Sequence, residues 1–403
     1  MYQSTNPFIV GDVIPPDAPF CERTGERQEL EIHIHNARNV VIWGHRRFGK
    51  TSLVFRVARD TDVFRGTLIN CAFFGISSPQ EVVRRIQRGI WNALTAAQKT
   101  LEWFKGLRYL RPRVDPDPNS EGGFSIGIEA TREGLWANAL EEAIGKLHSD
   151  LPGPVLVIFD EFQAIAQLKE GPEIEGLLRE QIQHRPPQVS YIFIGSQRGM
   201  LQAMFSDKHR PFFQQAQAIE IDRLGKDEVI SYLTNTFADF QGLLIEEQAG
   251  RLFEACRGHP YAMQAIAAAL WDQTEAGTHV TDRAIEGAIR LAADREMQKV
   301  RPWWARLRKG DRFLLEACAR EGSFAPYSRE VAARYGLSPS GIRKSIENLV
   351  DLDPRLELIE TGKQRRIQFV DPLESICIRR LSEGYSEPVG PPIKPPGHTP
   401  RQN

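Results

Sequence analysis

The chain has 403 residues, a hydrophobic fraction of 41%, and 51 Lys and Arg residues against 52 Asp and Glu, which gives a formal net charge of −1. A chain of this length exceeds the size at which one hydrophobic core usually stops growing, so we expect two or three domains. No apolar run reaches about 18 residues, which excludes a membrane-spanning class. The N-terminus lacks a signal-peptide pattern, which predicts a cytoplasmic location. The five cysteines lack C-x-x-C spacing, which excludes a zinc site.

The first predicted elements are a buried strand and the loop after it, in the sequence VVIWGHRRFGKTSL. Gly44 and Gly49 fit the spacing GxxxxGK(S/T), in which glycines let several backbone N–H groups converge on a phosphate. Lys50 would reach the β- and γ-phosphates of a nucleotide, and the Thr51 hydroxyl would ligate Mg²⁺. A chance match is the alternative, which the position between a strand and a helix disfavours. The predicted phosphate-binding residues are Gly44, His45, Arg46, Arg47, Phe48, Gly49, Lys50, Thr51 and Ser52.

Residues 101–134 interrupt the α/β pattern with aromatic residues among prolines and glycines. Within them, residues 124–129 alternate polar and apolar side chains as a short strand does, so we predict an inserted hairpin. A partner-contact element and a local cover over the sheet are both open interpretations.

A second apolar strand ends on two adjacent carboxylates, Asp160 and Glu161. Ligands bind at the carboxyl ends of parallel strands, so Asp160 can hold Mg²⁺, directly or through water. Glu161 is then free to orient or deprotonate an attacking water as a general base. The alternative is an ordinary acidic helix N-terminus, favoured by the helix dipole.

A third apolar strand, beginning at Val189, ends on Gly195, Ser196 and Gln197. Ser196 or Gln197 could contact the γ-phosphate or the attacking water, although Gly-Ser after a strand is also a common turn. Three such strands predict an α/β fold with the parallel sheet of a P-loop NTPase whose catalytic glutamate follows the metal-binding aspartate.

From Gly225 onwards the pattern becomes helical, and Gly258-His259-Pro260 divides two later helices, which predicts a helical lid. The final residues are rich in Pro and Gly and lack an apolar pattern, so we expect disorder there. The predicted domains are a lead-in (1–30), a P-loop ATPase core (31–222), a helical lid (223–300), a winged helix (301–383) and a disordered tail (384–403).

The winged helix is predicted from three helical segments followed by alternating residues around Thr361-Gly362-Lys363. Ser338 would cap the third helix with Pro339 in its first turn, and Ile342 and Ile346 would face inward. Residues 301–383 carry 16 Lys and Arg against 12 Asp and Glu, a net charge of +4, which permits contact with phosphates but falls short of a strongly basic DNA-binding domain. The candidate contacts to duplex DNA are Arg343, Lys344, Lys363, Arg365 and Arg366. Docking of this surface on the ATPase core is the alternative.

Several of these segments together resemble the archaeal-type ATPase family, which belongs to the STAND branch of the AAA+-related P-loop ATPases. The resemblance covers most of residues 6–300 and rests on Asn6-Pro7-Phe8, the phosphate loop, Phe159-Asp160-Glu161-Phe162, Ile194-Gly195-Ser196 and Gly258-His259-Pro260-Tyr261. It implies an additional-strand, AAA+/STAND-like core with ATP and Mg²⁺ as cofactors. It further implies that Arg23 lies near the nucleotide entrance and that His259 and Pro260 contact base or phosphate.

The chain departs from this family at two places. Where the family reads Phe-x-Gly-Arg, this chain has Phe20-Cys21-Glu22-Arg23, so Glu22 replaces a glycine that permits close approach to adenine. Members also carry an arginine shortly before the last strand, and Arg210 is the nearest candidate here. It would act as a finger on a neighbouring subunit's γ-phosphate, or it is an ordinary solvated residue.

Three functional hypotheses follow. The first is an ATP-hydrolysing switch or motor whose nucleotide state controls self-assembly, as a homo-oligomer, or association with a protein partner. The second is an ATP-regulated DNA-binding protein that acts through the winged helix, and the third is a nucleotide-binding scaffold that scarcely hydrolyses ATP. The first is favoured. Its predicted catalytic residues are Lys50, Glu161, Ser196, Gln197 and Arg210.

Overall fold

The structure is a computed structural model of the whole chain. The residues that it describes are 6–15, 17–60, 62–95, 109–116, 124–130, 135–149, 151–240, 242–275, 277–326, 338–361 and 364–383. The predicted disordered tail and parts of the predicted insertion lie outside these ranges.

A five-stranded parallel sheet forms the centre of the N-terminal half, with strand order β2-β5-β6-β1-β7. Its three central strands are largely apolar and buried, as expected for strands covered on both faces, whereas its two edge strands are partly exposed. The strands of the sheet are β1 (Val40–Trp43), β2 (Thr67–Ala72), β5 (Val155–Asp160), β6 (Val189–Gly195) and β7 (Gln217–Glu220).

Helices cover both faces of this sheet, and successive strand residues point to opposite sides. Val40 and Ile42 belong to the apolar cluster under the first two helices, whereas Val41 and Trp43 belong to the cluster on the other face. The helices are α1 (Thr24–His35), α2 (Lys50–Ala58), α3 (Pro79–Ala93), α4 (Trp136–Ser149), α5 (Gly171–Gln183), α6 (Arg198–Ser206) and a 3₁₀ helix (Phe162–Gln167).

Two antiparallel strands, β3 (Leu110–Pro116) and β4 (Phe124–Ala130), pair with each other within the segment where a hairpin is predicted. The segments that flank and join them, 96–108, 117–123 and 131–134, lie outside the described residues.

A helical layer follows the sheet, as expected from the periodicity after Gly225. It contains α7 (Lys226–Phe240), α8 (Glu246–Cys256), α9 (Pro260–Gln273), α10 (Asp282–Arg306) and the short parallel pair β8 (Gly242–Leu243) and β9 (Thr278–His279). The lead-in packs on this layer, because Phe8 is buried in its core and Asn6 donates to the Ala268 carbonyl (3.0 Å). α10 continues past residue 300, the predicted start of the next domain.

The C-terminal unit combines helices with a three-stranded antiparallel sheet of order β10-β12-β11. Its elements are α11 (Lys309–Glu321), β10 (Ser323–Phe324), α12 (Pro339–Ile346), a π-helical turn (Glu347–Leu352), β11 (Leu356–Thr361), β12 (Gln364–Phe369) and α13 (Pro372–Ser382). Residues 327–337, where the second helix of a winged helix is predicted, lie outside the described part of the chain. The winged helix therefore stays a prediction.

The start of α12 agrees with the sequence. Ser338 Oγ accepts a hydrogen bond from the Gly341 N–H (3.1 Å), and Ile342 and Ile346 are buried. One apolar cluster joins these residues to the helical layer, so the lid and the C-terminal unit share a core.

Candidate functional site

The loop between β1 and α2 curls back over the start of α2. Gly49 is the N-cap residue at φ 77°, a left-handed conformation that glycine adopts without strain. A Cβ on Gly44 would overlap the Ile221 carbonyl after β7, so the backbones can approach there only without a side chain. Since α2 begins at Lys50, its unpaired N–H groups and positive dipole end face the loop, which suits a phosphate.

Lys50 is buried and directed into this loop. Its Nζ donates to the carbonyls of Gly44 (3.0 Å) and His45 (2.7 Å). Burial lowers the pKa of Lys50 to about 8, although the charges of Glu161 and Asp160 oppose that shift. A phosphate at the loop would supply the anion that this desolvated ammonium group lacks.

The Thr51 hydroxyl donates to Oδ2 of Asp160 at the end of β5 (2.9 Å). The structure thus brings together the two predicted metal ligands, which are 109 residues apart in the chain. Hydroxyl and carboxylate oxygens are the donors that Mg²⁺ prefers, so this pair fits the ion. Burial raises the pKa of Asp160 and the charge of Glu161 adds to it, while Thr51 and Lys50 oppose the rise.

Glu161 turns away from β5 because its backbone is left-handed, at φ 55°. Oε2 of its carboxylate accepts hydrogen bonds from Ser196 Oγ (2.8 Å) and from the Nε2 of Gln163. Ser196 therefore lies beside the predicted base, whereas Gln197 accepts from Gln167 (3.3 Å). Gln163 stands two residues after Glu161 but is not among the predicted site residues.

A cavity of about 290 Å³ lies between the phosphate loop, the lead-in and the helical layer. Lys50, Thr51, Asp160 and Glu161 line its polar end. Its apolar wall is formed by Val13, Ile14, Phe20, Leu224, Pro260 and Met263. A planar base and a chain of phosphates require this combination of walls.

Arg23 lines the cavity, but its guanidinium group already makes a hydrogen bond to the phosphate loop. Its Nη2 donates to the Phe48 carbonyl (3.0 Å) and its Nη1 pairs with Glu26 (3.0 Å). Burial lowers the pKa of Arg23, and Glu26 opposes that shift. Glu22, the departure from the family pattern, faces Arg27 and Arg56 instead.

His259 caps α9, since its Nδ1 accepts from the Ala262 N–H (3.2 Å). Its ring packs edge-on against Phe48, with 5.0 Å between centroids. Burial, with the charges of Arg223 and Arg47, holds the pKa of His259 well below its usual value, so the ring is neutral. Pro260 and Tyr261 line the nucleotide-sized cavity, and His259 lines a neighbouring one.

That second cavity, of about 420 Å³, lies between the phosphate loop, α10 and the C-terminal unit. Arg47 crosses it: Nη1 lies 2.8 Å from Glu296 and 3.5 Å from Asp371, and the guanidinium stands 4.3 Å from the Tyr261 ring centroid. Tyr261 donates to Glu296 (2.6 Å). One phosphate-loop residue thus contacts both the lid and the C-terminal unit.

His45 makes a second link of this kind, because its Nε2 lies 3.1 Å from Glu357 on β11. Arg223 also pairs with Glu357 (2.5 Å). Burial alone would raise the pKa of Glu357, but the hydrogen bonds from His45 and Arg223 lower it to about 2. These C-terminal partners are hundreds of residues away in the chain, and sequence spacing gives no sign of them.

Arg210 lies away from this centre. Its Nη2 pairs with Oε1 of Glu175 on α5 (2.7 Å), and the Glu175 side chain is fully buried. Arg179, Lys208 and His209 line, with Arg210, a basic depression of about 390 Å³. Among the described residues Arg210 has no hydrogen bond or ion pair with Lys50 or Glu161, so its role as a finger stays a prediction.

The predicted DNA contacts are partly described. Arg343 and Lys344 are exposed on α12 and Arg365 is exposed on β12. Arg366 donates to the Ser323 carbonyl and hydroxyl, whereas Lys363 lies outside the described residues. No helix within the described ranges is long and apolar enough to span a bilayer.

No family model matches this chain, and no curated protein matches it. Among solved structures, it is similar to a Walker-type ATPase of Pyrococcus abyssi, with a TM-score of 0.61 and 19% identity over 89% of this chain and 96% of that one. It is also similar to the Aeropyrum pernix ORC2 protein in ADPNP–ADP complexes, with a TM-score of 0.55 and 13% identity over 95% and 99% of the two chains. The ADP form of that protein gives a TM-score of 0.50 at 12% identity over 94% and 96%.

At these identities the likeness shows the fold. The α/β fold with the parallel sheet of a P-loop NTPase that the sequence predicts is confirmed, as is its likeness in fold to an archaeal Walker-type ATPase.

Proposed function

We propose that this protein binds ATP with Mg²⁺ and hydrolyses it to ADP and phosphate. The observation that carries the proposal is that Lys50, Thr51, Asp160 and Glu161 line one cavity together with apolar residues of the lead-in and the helical layer. The ORC2 structures in complex with ADPNP and ADP support nucleotide binding by a chain of this fold.

Each residue then has a distinct task. Lys50 exchanges its two loop carbonyls for the β- and γ-phosphates, and the glycines of the loop let backbone N–H groups surround them. Thr51 and Asp160 hold Mg²⁺, which neutralises charge on the phosphates when it is bound. Glu161 orients an attacking water and accepts its proton, and Ser196 or Gln197 contacts the γ-phosphate or that water.

We further propose that the nucleotide state controls association of the protein with itself or with a partner. The support is the contact of His45 with Glu357 and the ion pairs of Arg47 with Glu296 and Asp371, all made from the phosphate loop. A phosphate that enters the loop alters the field around both residues, so the lid and the C-terminal unit are positioned to respond.

ATP hydrolysis by purified protein tests the proposal, with binding measured separately. Lys50→Ala should weaken nucleotide binding because it removes the buried cation. Glu161→Gln keeps the shape of the side chain, so binding should stay within about twofold of the parent while turnover falls by about 10²-fold or more. A Gln variant that hydrolyses ATP as fast as the parent would show that Glu161 is not the base.

Two other candidates remain. Exposure of Arg343 and Lys344 on the face of α12 opposite the buried Ile342 supports binding of duplex DNA. Charge reversal at these two residues should then abolish a DNA affinity that decreases steeply with salt. Should the parent bind ATP without measurable turnover, the non-hydrolysing scaffold is the better description.

A further inference from the structure

Gln163 is a buried polar residue beside the reaction centre that the function described above leaves unassigned. It lies in the 3₁₀ helix after β5 and is 3% exposed. Its Nε2 donates to Oε2 of Glu161 and lies 3.5 Å from Ser196 Oγ, which donates to the same carboxylate oxygen. Two neutral donors therefore converge on Oε2, and neither contacts Oε1.

The orientation of the Gln163 amide follows from its surroundings. Only the NH₂ end can face a carboxylate oxygen favourably, which directs the carbonyl Oε1 towards the end of β6. A Cβ on Gly195 would overlap that Oε1, so the absence of a side chain at residue 195 provides the space for the amide. Among the described residues Oε1 has no hydrogen-bond partner, although it is buried. The Gln163 amide thus leaves its buried oxygen without a hydrogen bond while its nitrogen donates to Glu161.

We propose that Gln163 is a positioning residue for ATP hydrolysis, an assignment that rests on the proposed function. Together with Ser196 it fixes Oε2 of Glu161 and leaves Oε1 to accept the proton of the attacking water. Glu161 also has a left-handed backbone (φ 55°), a conformation that persists only where surrounding contacts hold it. Gln163 acts on orientation and contacts neither nucleotide nor metal ligands.

The first experiment compares Gln163→Leu with Gln87→Leu. Leucine fills a similar volume and removes the donor at residue 163. Gln87 is a matched control, since it is 1% exposed on α3 and neither atom of its amide has a partner among the described residues. For Gln163→Leu we expect kcat to fall by about ten- to a hundredfold while the ATP dissociation constant stays within about twofold. Gln87→Leu should leave both quantities unchanged.

The second experiment reaches Gln163 without replacing it. Gly195→Ala should displace the amide and lower kcat, because the new methyl group occupies the place of Oε1. In Gln163→Ala that place is empty, but the new Cβ would still lie 2.9 Å from Leu201 Cδ2. With Leu201→Ala in every protein compared, to relieve that approach, adding Gly195→Ala to Gln163→Ala should lower kcat no further. Such non-additivity indicates that both changes act through the same side chain.

The outcomes separate this assignment from the proposed function. A parent protein that binds ATP but does not hydrolyse it overturns both. A parent that hydrolyses ATP, with Gln163→Leu within about twofold of its kcat, overturns the positioning role alone. Equal losses of kcat and ATP affinity, or additive effects of Gly195→Ala and Gln163→Ala, also overturn it, because they indicate general damage to the site.

Discussion

Arg210 neutralises a buried carboxylate in its own chain, so Arg210→Ala should destabilise the fold whatever the residue does for a neighbouring subunit. Glu175, its partner at 2.7 Å, has a side chain that is 0% exposed, while Arg210 keeps 31% exposure. Removing one partner of a buried ion pair costs about 3–5 kcal/mol, since the other charge stays buried. Water reaches Arg210, so we expect the lower end of that range, about 3 kcal/mol.

The loss should depend on pH in a defined direction. Burial raises the pKa of Glu175, and the charge of Arg210 opposes that rise. Without Arg210 the folded variant retains a proton on Glu175 up to a higher pH than the unfolded chain does. The stability of the variant relative to the parent should therefore be least impaired near about pH 5 and should fall as the pH rises towards about 8.

Thermal unfolding of four proteins at both pH values measures this effect. These are the parent, Arg210→Ala, Glu175→Gln and the double variant. Because glutamine carries no charge to bury, the double variant should recover most of the melting temperature that Arg210→Ala loses at the higher pH. A double variant no more stable than Arg210→Ala, or a loss independent of pH, would refute the reasoning.

Three further predictions can be tested with the same protein. If Arg210 completes a neighbour's site, the double variant Glu175→Gln/Arg210→Ala should hydrolyse ATP more slowly than the parent at unchanged nucleotide affinity. Light scattering should then detect a larger species of the parent with a non-hydrolysable ATP analogue. Burial, with the charge of a neighbouring glutamate, raises the pKa of Asp371 to about 7. As the pH rises from about 5 to 8, melting curves should therefore show the parent losing stability relative to Asp371→Asn. Gly258→Ala should lower the melting temperature more than Gly277→Ala, because both glycines have positive φ but only at residue 258 would a Cβ overlap a backbone carbonyl.

The parts of the site that the sequence predicts are those encoded within a few residues. The phosphate loop is one continuous segment, and Asp160 and Glu161 follow a buried strand whose end must lie near it, since parallel strands share one edge. Gln163 belongs to this class as well. The sequence shows Gln163 two residues after Glu161, but the role of this residue depends on a short helix that turns its amide back towards the carboxylate.

The remaining contacts could not be predicted because they join distant parts of the chain. Arg47 meets Glu296 and Asp371 across 249 and 324 residues, and periodicity carries no information about such pairs. The roles near a nucleotide that the resemblance implied for Arg23 and His259 stay predictions, and the structure adds contacts that the resemblance did not indicate. Arg23 donates to the Phe48 carbonyl, and His259 caps α9. Tertiary packing decides which atoms of a recognised motif are free.

The shared apolar core of the lid and the C-terminal unit has a mechanical consequence. α10 crosses residue 300 and packs against both α9 and α13, so a protein truncated there would lose the last turns of this helix together with α13 and expose an apolar face. The two regions should be cloned, deleted or swapped only together. A force applied to the C-terminal hairpin is transmitted through these closely packed regions to Glu296, and from Glu296 to Arg47 in the phosphate loop. If a partner that binds these regions alters nucleotide affinity, the nucleotide must alter partner affinity by the same factor.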